Sequence, residues 1–143
     1  MEATILLCDA AEAINGKLYI LGGGWSVSGP MPHPSALAMK LDVPWNDANR
    51  PIEVLIELFD ADGQPYAVQD AFGNQQPLKV PMQIEVGRPP GLPHGTPLDA
   101  TLAFSVPPLI YRPGQRYTWR LTIDGESKEH WQVGFTTRQV PPS

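Results

Sequence analysis

The chain has 143 residues, enough for one domain (1–143) with a hydrophobic core, and its 42% hydrophobic and 17% charged content excludes intrinsic disorder. A net charge of −5 without any Lys/Arg cluster excludes a phosphate track, so nucleic acid is not an expected partner. No apolar run approaches the roughly 18 residues needed to span a bilayer, no secretory leader opens the chain, and the single Cys8 cannot form an internal disulfide, so the expectation is a soluble cytoplasmic protein.

Ala3 to Ala10 is an almost continuous apolar run and predicts a first strand. Asn15-Gly16 predicts a type I′ hairpin turn, because that turn needs positive φ at both central residues. Lys17 to Leu21 then returns as a second strand. Gly29 to Pro34 is a proline-rich loop, and Ala36 to Val43 is a strand with Leu37, Met39, Leu41 and Val43 on one face. Pro44 to Pro51 is a polar connection with room for one helical turn. Ile52 to Phe59 alternates as a strand, and Asp62-Gly63 predicts a hairpin with Tyr66 to Gln69 returning. Leu78 to Val86 carries Pro81, which confines it to a sheet edge or a bulge. After the loop Gly87 to Pro97, Leu98 to Val106, Gln115 to Asp124 and Glu129 to Thr137 predict three further strands, with Asp124-Gly125 as a turn. Trp119 and Trp131 fall in phase with inward positions. No segment has a helical period. Eight or nine short strands with regular turns predict an all-β antiparallel sandwich, immunoglobulin-like or a related Greek key. The stretch Pro113 to Trp119 resembles the tyrosine corner of immunoglobulin-like domains, with Tyr117 as the tyrosine whose hydroxyl bonds back to the backbone.

Gly22-Gly23-Gly24, followed by Trp25, raises the question of a phosphate loop. A dinucleotide fingerprint must open a helix, and Trp25 to Pro34 cannot supply one. A Walker loop needs Gly-Lys-Ser/Thr, and Gly16-Lys17-Leu18 lacks the hydroxyl. The glycines therefore predict a bulge, or a strand too crowded for a Cβ, and no cofactor is expected. His33, His94 and His130 lack metal-ligand spacing, so a metal-dependent enzyme is the least favoured function. Asp60-Ala61-Asp62-Gly63 lacks the downstream Glu of a calcium loop. Cys8 in an apolar strand is an inert thiol, no G-x-S-x-G elbow is present, and Glu53 and Glu57 read as solvent-facing charge.

Trp45 sits in a polar loop with Asn46, Asn49 and Arg50. That grouping suits either an anchor closing one end of the fold or a stacking platform for a sugar or another small ligand. Trp25, beside the glycines, is a candidate for ligand or subunit contact. The favoured function is a non-enzymatic module acting through contacts with a protein partner or with itself as a homo-oligomer, because sheet edges are templates for pairing.

Ala3 to Ala11 (ATILLCDAA) with Gly16 to Pro30 (GKLYILGGGWSVSGP), and later Val43 to Trp45, Val106 to Leu109 and Tyr117 to Gly125, resemble a family of small uncharacterised bacterial proteins that is largely actinobacterial. The resemblance implies a bacterial cytosolic β-domain. It implies no activity and no catalytic residues.

Overall fold

The computed structural model describes residues 1–140. Among them eleven strands run β1 Glu2–Ile14, β2 Lys17–Gly23, β3 Val27–Ser28, β4 Ser35–Val43, β5 Pro51–Phe59, β6 Ala67–Gln69, β7 Gln75–Pro77, β8 Lys79–Glu85, β9 Leu98–Val106, β10 Arg116–Ile123 and β11 Gln132–Thr137, with a single 3-10 turn at Trp45–Asp47. The protein is all-β. One sheet has the order β2-β1-β4-β9, a second β3-β11-β10-β5-β8, and β6-β7 stand apart as a two-stranded ribbon.

The alternation seen in the sequence decides which faces meet. Ile5 and Leu7 of β1 and Leu37, Met39, Leu41 and Val43 of β4 point one way. Ile52, Val54, Ile56 and Leu58 of β5 and Tyr117, Trp119, Leu121 and Ile123 of β10 point back at them, and all join one buried core. Trp131 and Phe135 complete it, both 1% exposed. Deeply buried side chains of this size stabilise the fold by about 1.5–3 kcal/mol each. The Asn15-Gly16 turn has φ of 52° and 73°, and Asp124-Gly125 has 49° and 77°, as type I′ hairpins require.

β1 is long enough to serve two neighbours in succession. Glu2 to Cys8 pair with β4, and Cys8 to Ile14 pair with β2. Ala36 and Ala38 alternate with the inward residues of β4, so they face away from the main core. They are nonetheless buried, because Ala11 and the partly buried Leu18 pack with them, Cys8 and Ala103 in a second small cluster. The β1–β2 hairpin thus forms an arm that folds back over the outer face of its own sheet. Small side chains beneath it let the backbones approach.

Three expectations are corrected. Eleven strands replace eight or nine, because Val27–Ser28 and Gln75–Pro77 are too short to show a period. The pairing is not wholly antiparallel, since β3 runs parallel to β11 with Val27 opposite Thr136. The segment Tyr66 to Gln69 does not return along β5. Beyond the Phe59–Pro65 bridge it turns away, and Ala67–Gln69 pairs with Gln75–Pro77 instead. The proline-bearing strand β8 lies at an edge, where Pro81 sits opposite Leu55.

Candidate binding surface

β2 is an edge strand of its sheet and leads into the three glycines. Gly22 has φ +59° and Gly24 φ +90°, both in the left-handed region. A Cβ on Gly22 would run into the Asp9 carboxylate of the neighbouring strand. One on Gly23 would stand 2.9 Å from Ile20 Cγ2 and 3.1 Å from Leu6 Cδ2. Gly24 has open space but a φ that side chains disfavour, and its N–H donates to the Leu7 carbonyl at 2.7 Å. The triplet carries the chain from the first sheet to Trp25 and then to β3 of the second.

Trp25 is half-buried against the core and meets Phe135 edge-on at 5.9 Å between ring centroids. Its other aromatic neighbour is His33 at 5.9 Å, and His33 Nε2 shares a hydrogen bond of 2.6 Å with Ser28 Oγ. Its indole N–H is buried without a hydrogen-bond partner among the described residues. Trp25 therefore works first as a plug where the two sheets meet.

What surrounds this crossing is apolar and exposed. Tyr19 is 56% exposed, Leu21 72%, Val27 50% and Met31 74%. Between Lys17 and Lys40 the chain has no Asp, Glu, Lys or Arg, in a protein of net charge −5. Sequence reasoning weighed the glycines and passed over this uncharged run. Charge patterning was the signal, because a solvated edge ordinarily carries charges that discourage pairing.

The loop around Trp45 is divided between two roles. Trp45 and Asn46 line a cleft of about 530 Å³ together with His94, Asp42, Glu2 and Lys128. Arg88 lies over the Trp45 ring at 4.7 Å from its centroid and donates Nη2 and Nε to the Trp45 carbonyl at 2.8 and 3.2 Å. His94 approaches the same ring at 5.3 Å. Asn49 and Arg50 stand outside the cleft lining. Asn49 takes φ 58° and its N–H donates to the Val86 carbonyl at 2.8 Å, a turn role. Arg50 Nη2 pairs with Asp124 at 2.9 Å and Asp47 at 3.1 Å. The Asp124 carboxyl is held below its ordinary range by the Glu53 N–H it accepts and by Arg50. Of the four residues, Trp45 and Asn46 face the cleft and Asn49 and Arg50 do not line it.

The histidines have separate partners. His33 contacts Ser28, His94 the Trp45 ring, and His130 Nε2 meets Glu2 Oε2 at 2.7 Å. Among the described residues no three His, Cys, Asp or Glu side chains gather where they could hold a metal ion. Cys8 is fully buried, its Sγ–H directed at the Ala36 carbonyl at 3.4 Å, and burial pushes its thiol pKa up. Tyr117 Oη accepts the Arg112 N–H at 2.9 Å, a bond reaching back five residues. No helix among the described residues is long and apolar enough to cross a membrane.

One protein family, described as a family of unknown function (DUF6941), matches residues 3–134. No curated protein and no solved structure matches the chain.

Proposed function

The chain belongs to the DUF6941 family of unknown function, and we propose that it is a non-enzymatic binding or assembly module whose working surface is the β2 edge. The observation that carries this is the uncharged run from Leu18 to Met39 with Tyr19 and Leu21 exposed on an edge strand. Backbone N–H and C=O groups along a free edge offer a ladder to an incoming strand, and apolar side chains beside it add area. We read the two-sheet frame as immunoglobulin-like, supported by the bond from Arg112 N–H to the Tyr117 hydroxyl. A free thiol at Cys8 fits a reducing compartment, and with the resemblance to bacterial, largely actinobacterial proteins it supports a cytoplasmic setting.

The test compares the wild type with Tyr19→Ser/Leu21→Ser, each shown folded by circular dichroism, as baits in lysate of the native cell. Proteins held by the wild type and lost by the variant are the expected result. The same set retained by both sinks the reading.

A second reading takes the Trp45 cleft as a small-ligand or carbohydrate site, favoured by the ring and Asn46 lining one hollow. Arg88 over the ring counts against it, since a stacked guanidinium occupies the face a sugar would use. A panel of glycans and metabolites titrated against tryptophan fluorescence, wild type versus Trp45→Ala, decides it. The absence of any saturable change confined to the wild type removes this reading.

A further inference from the structure

We infer that the partner of the β2 edge is a second copy of this chain, paired antiparallel about a two-fold axis at Tyr19. This rests on the reading of β2 as a contact edge. Gly22, at φ +59°, ends the regular part of the strand, which leaves Lys17 to Leu21 as the usable ladder. Tyr19 is its midpoint. A two-fold there brings all five residues into register, with Tyr19 opposite Tyr19, Leu18 opposite Ile20 and Lys17 opposite Leu21 of the other copy. A closed two-fold contact of this kind is the commonest symmetry of soluble assemblies.

Charge selects the same occupant. Two copies of a chain with net charge −5 repel over most approaches, while β2 itself carries no acidic residue, the nearest being Glu12 opposite Tyr19 and Asp9 beside Gly22 on the adjoining strand. The only charge on β2 is Lys17, and the Tyr19-centred register sets it against an apolar residue, so no like charges face each other. Lys17 also brings positive charge towards a partner that is acidic overall. The area sets the strength. Tyr19, Ile20 and Leu21 are 56%, 38% and 72% exposed. Together they offer on the order of 400 Å², about half the roughly 800 Å² per partner of a standard stable interface. The dimer is therefore weak and reversible.

The register makes opposite demands on one residue. Leu21→Lys places lysine against Lys17 of the other copy and abolishes pairing. Leu21→Glu places a carboxylate there and preserves it, more firmly at low salt. Light scattering and sedimentation from ~5 to ~500 µM span the range in which so small an interface associates. The expected pattern is a concentration-dependent dimer for the wild type and Leu21→Glu, and a monomer for Leu21→Lys. Tyr19→Cys, under mild oxidation, is expected to give a disulfide-linked dimer that the wild type with its buried Cys8 does not. A wild type that stays monomeric throughout overturns self-pairing, while the lysate comparison separately judges whether the edge binds another protein. Equal loss of the dimer in Leu21→Lys and Leu21→Glu overturns the register. Leu21 is exposed, so both variants should fold; should either fail, the Tyr19→Cys crosslink alone decides.

Discussion

Gly22 combines a left-handed backbone with a neighbour, Asp9, that occupies the space a Cβ would need. Gly22→Ala and Gly24→Ala each force an alanine into that region, at a cost of about 1–2 kcal/mol. Gly23 is different in kind: its φ is ordinary, and the conflict is with Ile20 and Leu6, two side chains at the rim of the arm that can shift. Gly23→Ala should cost less than the other two. Urea unfolding of the three single variants gives the order, and three neutral or stabilised variants would make the triplet a flexible loop instead. Tyr117 makes a second prediction at this scale. Its hydroxyl accepts the Arg112 N–H in a partly buried setting, so Tyr117→Phe leaves that N–H without its acceptor and lowers stability by about 1–3 kcal/mol. An equal stability for the two proteins would mean that water replaces the hydroxyl without loss.

The arm formed by β2 and the far half of β1 depends on the small residues it covers. Ala38 is 2% exposed beneath it. Ala38→Leu overfills that seat and is expected to destabilise by about 1–3 kcal/mol. Amide exchange should quicken in β2 while β10, buried in the main core, keeps its protection. Uniform acceleration would mean that the arm does not open separately. The strand positions of β4, β5, β9 and β10 were readable because apolar residues recur at every second position over eight or nine residues, although only β5 and β10 also alternate in burial. β3 and β7 were not, because two or three residues carry no period; β3 is held by a pairing with β11 distant in sequence, and β7 only by its short ribbon with β6. The arm was half-legible. Asn15-Gly16 marked the hairpin, but Ala36 and Ala38 on the outer face look in sequence like any small surface residues, and only the fold shows what lies on them. At the Trp45 loop composition misled in the same way. Asn49 and Arg50 have ligand-binding chemistry, yet Asn49 stands at a positive-φ turn and Arg50 is held in ion pairs with Asp47 and distant Asp124.

At the scale of the whole molecule, Glu2 ties the first strand to the loop before β11 through Lys128 and His130. Hydrogen bonds from those two side chains hold its carboxyl down from 4.5 to about 2. A depressed carboxylate adds stability above its unfolded value and gives it up as pH falls through the folded one. The wild type should therefore lose stability more steeply than Glu2→Gln between pH 4.5 and 2, with the two curves converging at the acid end. Salt should narrow the gap, since the group is exposed. Parallel acid-unfolding curves would mean that the contact contributes nothing. The parallel pair β3–β11 has a consequence in time. It joins Val27 to Thr136, close to opposite ends of the described chain. A ribosome adding about 5–20 residues per second needs on the order of ten seconds to travel between them. The β1–β2 hairpin needs only its own turn and can form in about 1–10 μs once it has emerged. Throughout that interval Trp25 has no Phe135 to pack on and β3 has no ladder, so the crossing from the first sheet to the second is born uncovered. Whatever shields a nascent chain has the longest work to do here.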